Sequence, residues 1–321
     1  MSALPVILDF DRSVGALPAE HRLHFCAGWH ESIRFGCGIG RMNALRALMD
    51  ADMPPPDQHG PVFLGSGDFH HLSWPLIQRR LAHRRGRADA PLRVVVLDNH
   101  PDNMRFPWGV HCGSWVRRVA LLPDVGHVHV AGITSGDIGW GHAWENYLQP
   151  LRSGKLTYWS TGVNTSWAKW VGLEGRLRSF RNVDALVDAL CWELRNHGGD
   201  TYLSIDKDVL ANDVVQTNWD QGQFQLHHLE RVCGAVHGDL VGSDVCGDVS
   251  SWRYSTAWKR WLSRADGQET AVEPDDLRAW QLRQWGVNLR LVALLDRRAA
   301  HRDPESPHAA LLARPQTSTS L

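Results

Sequence analysis

The stretch RVVVLDNHPD, residues 93–102, decides the fold. A run of β-branched and aliphatic residues with no polar interruption reads as a strand buried on both faces, the signature of a parallel sheet covered by helices. The run stops at Asp98, and from there potential ligands fall at alternate positions: Asp98, His100 and Asp102. In an extended exit from a strand, alternate side chains share one face. The same pattern, an apolar run followed by polar or Gly-rich residues, recurs outward in both directions. It appears in PVILDF (5–10), PVFLGSG (61–67), HVHVAGI (127–133), KLTYWS (155–160), TYLSID (201–206) and DLVGSDV (239–245).

Between these runs lie segments with helical spacing: 41–50, 72–85, 183–199, which ends at a Gly pair, 225–238, and a long final helix over about 275–300. Strands alternating with helices predict an α/β fold with a mostly parallel sheet. No internal repeat and no Gly-, Ser- or Pro-rich linker divides the chain, so residues 1–301 are read as one domain and 302–321 as a loose tail.

Composition narrows the function classes. The chain has 321 residues, 43% hydrophobic and 21% charged, which is ordinary globular composition. Lys and Arg total 34 against 35 Asp and Glu, so the net charge of -1 gives no footprint for nucleic acid or an anionic membrane. No apolar run reaches the roughly 18 residues of a membrane helix. The first residues, MSALPVILDFDRSVG, have no basic n-region and meet Asp9 and Asp11 too early for a signal peptide. Six scattered cysteines without a C-x-x-C read as reduced thiols, and the expected location is the cytoplasm. Sixteen Trp and 18 His are unusual counts; the His matter where they cluster with carboxylates.

Such clusters gather at predicted strand ends, where open α/β sheets place ligands. Asp98, His100 and Asp102 form the first. Asp206 and Asp208 follow TYL in the second, and His70 or His71 follows the Gly-rich turn after PVFL in the third, with His70 favoured. Together Asp98, His100, Asp102, Asp206, Asp208 and one of these His make six ligands, four of them carboxylates. That thiolate-free set suits a hard ion such as Mn²⁺, and its size suits two ions sharing carboxylates. His111, in Gly109-Val110-His111-Cys112-Gly113, has no metal-spaced partner and suits proton transfer.

These clusters, in this order, resemble the ureohydrolase family of arginases, agmatinases and formiminoglutamases. Asp98-Asn99-His100-Pro101-Asp102 is similar to the family's Asp-Ala-His-x-Asp, and Ser204-Ile205-Asp206-Lys207-Asp208 to its Ser-x-Asp-x-Asp. Gly67-Asp68-Phe69-His70 departs from Gly-Gly-Asp-His by an inserted Phe, and His111-Cys112-Gly113 departs from His-Gly by an inserted Cys. The resemblance implies a three-layer α/β/α sandwich of arginase-like form. It implies two Mn²⁺ per chain and hydrolysis of a small guanidino or amidino substrate, with urea or a related product. Asp102 or Asp208 would steady the attacking water's proton, and His111 would shuttle a proton to the leaving amine. The family's late Glu, which holds the guanidinium, is absent, so Asp248 or Asp244 is expected to serve. Trp108 and Trp219 are expected to wall the pocket, whereas Trp74 and Trp115 read as core. Family members often form trimers or hexamers, which makes a homo-oligomer an expectation.

Two other readings are distinct. A deacetylase-like enzyme on the same fold would hold one Zn²⁺ on Asp98, His100 and Asp206, with His70-His71 as its His pair, but leaves Asp102 and Asp208 unexplained. A non-catalytic family member is allowed by the altered first motif and the missing Glu. Gly126-His127-Val128-His129 echoes a metallophosphoesterase motif, but its companions are out of order and the segment reads as strand.

Overall fold

The computed structural model describes residues 4–86, 90–268 and 270–300; the tail expected at 302–321 lies outside them. Among the described residues there are eleven strands: β1 Leu4–Asp9, β2 His21–His24, β3 Gly36–Cys37, β4 His59–Phe63, β5 Leu92–Leu97, β6 Val110–His111, β7 Val125–Ile133, β8 Leu156–Thr161, β9 Leu177–Phe180, β10 Thr201–Asp206 and β11 Leu240–Cys246. Nine form one sheet in the order β2-β1-β4-β11-β10-β5-β7-β8-β9, every neighbouring pair parallel. β3 and β6 make a small antiparallel pair apart from it.

The helices are α1 Ala27–Ile33, α2 Ile39–Asp52, α3 Ser73–Arg84, α4 Val116–Ala120, α5 Gln149–Arg152, α6 Val183–Asn196, α7 Leu226–Ala235, α8 Ala257–Ala265 and α9 Pro274–Ala300. Strand alternation assigns them to layers. Val94 and Val96 of β5 pack in one apolar core with Met42 and Leu45 of α2, Ile77 of α3 and Val119 of α4. Val95 and Leu97 pack in the other with Leu186 and Leu190 of α6, Val232 of α7 and Leu291 of α9. The sheet is therefore the middle of an α/β/α sandwich, and all six residues of β5 are buried, as a strand covered on both faces requires. Trp74 and Trp115 lie in the first core, and His129 is on β7, buried beside Trp159. None of the helices is long and apolar enough to cross a membrane, judged over the described residues.

The topology makes the crevice. From β5 the chain runs through α4 to β7 on one side; from β10 it runs through α7, on the opposite face, to β11 on the other side. β5 and β10 are neighbours, so the loops leaving their C-terminal ends diverge. This is the switch point at which parallel α/β sheets bind ligands, and Asp98 and Asp206 stand on its two lips.

Candidate metal centre

Even-numbered residues of β5 and β10 face the first core, and those rows are continued by Asp98, just past β5, and by Asp206, the last residue of β10. His70 reaches them from a 3-10 turn, Gly67–Leu72, that follows β4; the Ser66 hydroxyl caps it by accepting from the Asp68 amide. Gly67 is required by space: a Cβ there would lie 3.0 Å from Asp206 Oδ2 and 3.2 Å from Trp219 Cδ1. Asp102 adopts a left-handed φ of 46°, and the Trp115 indole donates to its Oδ2 at 2.6 Å.

The six sequence-derived candidates converge. His70 Nδ1 lies 2.9 Å from Asp102 Oδ2, 3.2 Å from Asp98 Oδ2 and 3.5 Å from Asp206 Oδ2. His100 Nδ1 lies 2.9 Å from Asp208 Oδ2 and 3.6 Å from Asp98 Oδ1. Three donor groups result at the centre, His70–Asp98–Asp102, Asp98–His100–Asp208 and His70–Asp206–Cys246, and Asp98 belongs to the first two. Asp206 bridges toward a third residue, Cys246, whose thiol donates to its Oδ2 at 3.0 Å. Behind the centre, His70 Nε2 pairs with the Ser204 hydroxyl at 2.9 Å, and Ser204 donates to Asp244 Oδ1 at 2.7 Å.

The electrostatics are those of a cation site. Four buried carboxylates meet, and among the described residues the cleft wall holds no Lys or Arg. Burial and then the Asp98 charge push Asp102 up to about 7. Burial together with Asp206 and Asp98 raises Asp208 well above the carboxylate range. Burial raises Asp206 as well. Asp98 moves down despite its burial, because His100 and His70 hydrogen-bond its charged form. Its Oδ2 is nevertheless a buried oxygen without a hydrogen-bond partner. Four carboxylates and two imidazoles converge here, and the Asp98 oxygen that faces His70 at 3.2 Å takes no aligned hydrogen bond, so the donor set fits divalent ions.

The centre is the floor of a cleft of about 430 Å³. His111 and Trp219 are in its wall. Burial pushes the His111 imidazole down to about 3, so it is neutral near pH 7; its Nδ1 accepts from the Gly113 amide at 3.0 Å, which leaves the proton on Nε2. His71 is buried outside the cleft lining.

Three expected substrate residues are elsewhere. Asp244 accepts from Ser73, Ser204 and Tyr202, behind His70. Asp248 is fully buried against Lys207 Nζ at 2.6 Å, with Asn288 of α9 donating at 2.9 Å. Gly247, with φ +88°, turns the chain between them, and its Cβ position would collide with Asp206. Trp108 is 75% exposed, beyond the cleft lining. Neither late Asp therefore reaches the cleft.

Four acidic residues that motif reading passed over do reach it: Asp137, Glu145, Asp220 and Asp266. Asp266 is pushed up to about 6 by burial and by the charges of Asp137 and Glu145. They come from three separate loops with no shared spacing, and their only signal in sequence is an acid on a long connection.

No protein-family model matches the chain. An uncharacterised protein of Thermotoga maritima is 26% identical over 273 residues, spanning 84% of this chain and 82% of its own length. Among solved structures, proclavaminate amidino hydrolase from Streptomyces clavuligerus superposes with a TM-score of 0.50 and 12% identity, covering 92% of each chain. The agmatine ureohydrolase of Thermoplasma volcanium superposes with a TM-score of 0.50 and 12% identity, over 94% of this chain and 92% of its own. The chain has the arginase-like α/β fold of these two ureohydrolases.

Proposed function

We propose that this protein is a metal-dependent hydrolase that cleaves a guanidino or related amidino C–N bond and releases urea or a related product. The observation that carries the reading is the pair of donor groups joined through Asp98. His70, Asp98, Asp102 and Asp206 would hold one ion, and Asp98, His100, Asp206 and Asp208 the other. Oxygen-rich, two-imidazole ligation favours Mn²⁺. Bound there, two such ions supply Lewis-acid activation of water at neutral pH.

The chain's own residues account for the rest. Asp102 and Asp208 face the cleft and can hold the proton of the attacking water. His111, neutral and protonated at Nε2, serves as a hydrogen-bond donor to the departing nitrogen; burial makes it a poor charged acid. Trp219 walls the cleft. With Asp244 and Asp248 committed elsewhere, Asp137, Glu145 and Asp266 are the carboxylates left to meet a cationic substrate. Among the described residues of the wall there is no Lys or Arg, so a carboxylate on the substrate would have to rely on neutral donors such as Ser135. The deacetylase-like reading needs His70 and His71 side by side in the cleft, and His71 is not in its lining. Six free thiols suit a reducing compartment such as the cytoplasm.

The test is metal analysis together with a screen for urea and ammonia release from guanidino and formimino compounds in the presence of Mn²⁺. The expected result is two ions per chain and release from a cationic guanidine, both lost in Asp98→Ala. One Zn²⁺ per chain with no release from any compound would overturn the reading.

A further inference from the structure

We infer that Asp220 is a positioning residue for His100, and that it selectively secures one of the two metal positions. The inference rests on the two-ion reading above. His100 is the imidazole of the Asp98–His100–Asp208 group. Its Nδ1 faces that group, 2.9 Å from Asp208, while its Nε2 lies 2.7 Å from Asp220 Oδ1. An imidazole that ligates through one nitrogen keeps its proton on the other, and a carboxylate accepting that proton fixes both the tautomer and the ring plane.

Asp220 is held in place before any ion arrives. The Asn99 side-chain amide donates to Asp220 Oδ2 and to its peptide oxygen, both at 3.0 Å. Asn99 Oδ1 in turn accepts from the Thr134 amide at 3.0 Å and hydroxyl at 2.6 Å. The surrounding loop is tied down by a reciprocal pair: Asn218 donates to the Ser250 carbonyl at 2.9 Å, and the Ser250 amide to Asn218 Oδ1 at 2.9 Å. Asn99, set between the two donors Asp98 and His100, thus latches a carboxylate from a loop about 120 residues away onto the outer edge of His100.

His70 uses different partners. Its Nε2 meets Ser204, which is backed by Asp244. The supports of the two imidazoles share no residue, so each imidazole can be disturbed without the other.

The experiment titrates Mn²⁺ into metal-free full-length protein, counts bound ions by elemental analysis, and follows the electron paramagnetic resonance of the bound Mn²⁺. Wild type should give two ions and a spin-coupled pair. Asp220→Ala should weaken one position by about 10–100-fold, so that isolated-ion signals replace the coupled pair while the other ion stays bound. Asp220→Asn, whose amide oxygen can still accept from Nε2, should keep more of the pair than Ala. In a His100→Ala background, Asp220→Ala should change nothing further, which a merely structural role would not predict. Ser204→Ala should weaken the position that Asp220→Ala leaves intact. Two ions bound to Asp220→Ala with wild-type affinity, or equal weakening of both positions, would overturn the inference. A wild-type chain that takes up no Mn²⁺ would overturn the two-ion reading and this inference with it.

Discussion

At the scale of single residues, the Ser-x-Asp-x-Asp segment serves both faces of the sheet. Asp206 and Asp208 point into the cleft; Lys207, between them, points to the other core and pairs with Asp248 in full burial. Burial pulls Lys207 down and Asp248 up, each opposed by its partner. Lys207→Met leaves Asp248 buried and unpaired and should cost about 3–5 kcal/mol in denaturant unfolding. Adding Asp248→Leu should recover most of that loss; a Lys207→Met variant as stable as wild type would show that the pair contributes nothing.

His127 allows a residue-level test against pH. Burial pushes it down to about 4 from an ordinary 6.5, so the unfolded chain takes up its proton first as pH falls. Its contribution to stability is therefore complete above about pH 6.5 and is lost between there and about 4. Relative to His127→Gln, wild type should lose up to about 3 kcal/mol across that window, measured by urea unfolding at several pH values. The converging Asp and His residues at the ends of β5 and β10 were legible from sequence because alternate spacing at a strand end fixes which side chains share a face. Asp220, Asp137 and Asp266 were not, because loop closure brings them in and leaves no periodic trace. The late Asp residues misled because a positive-φ glycine re-aims the chain, and a lysine hidden within a metal motif consumes the charge.

At the scale of elements, α8 shows how polar contacts add to apolar ones, since its Leu262 packs on the Phe35–Cys112–Tyr254 cluster and its Trp258 meets the rings of Phe35 and Phe106. Its buried residues are Lys259 and Ser263, while Trp261 is exposed. The bond to α1 is reciprocal capping. Glu31 of α1 accepts from the amides and hydroxyls of Ser255 and Thr256, at the N-terminal end of α8, and from the Trp252 indole. Lys259 of α8 donates to the Glu31 and Arg34 carbonyls, at the C-terminal end of α1. Each charge sits at the helix end whose dipole it complements. Asp266 follows directly on the last residue of α8, so this clamp also places one wall of the cleft. Glu31→Ala should cost about 1–3 kcal/mol and raise amide exchange across 255–266 well before the sheet exchanges. Unchanged exchange there would show that α8 is held by something else. The central strands and the longer helices were readable because each is an unbroken run of one period. α1 and α8 were not, since polar contacts between distant segments define them. The edge strands β2 and β9, four residues each, carry too short an apolar pattern to stand out.

At the scale of the whole molecule, the centre joins three segments that the chain supplies far apart: the turn after β4, the exit of β5 and the exit of β10. In the metal-free protein these segments carry buried carboxylates that repel one another, and only His70 and His100 stand among them to offset the charge. Divalent ions bound there would replace repulsion by cross-links between the middle strands of the sheet. Because the donors come together only in the folded chain, binding energy appears as folding stability. A single site at 100 times its dissociation constant adds about 2.7 kcal/mol, which for a chain of this size corresponds to about 4 °C in Tm. Thermal unfolding with and without Mn²⁺ should show at least that rise, reversed by chelator. Asp98→Ala should abolish it, since that residue joins two of the donor groups, whereas His111→Ala, which lies outside them, should keep it. A rise that survives Asp98→Ala would place the stabilising ion on donors that do not include Asp98, such as His70–Asp206–Cys246 or Asp184–His227–His228, and so overturn the reading of Asp98 as the residue that joins two ions.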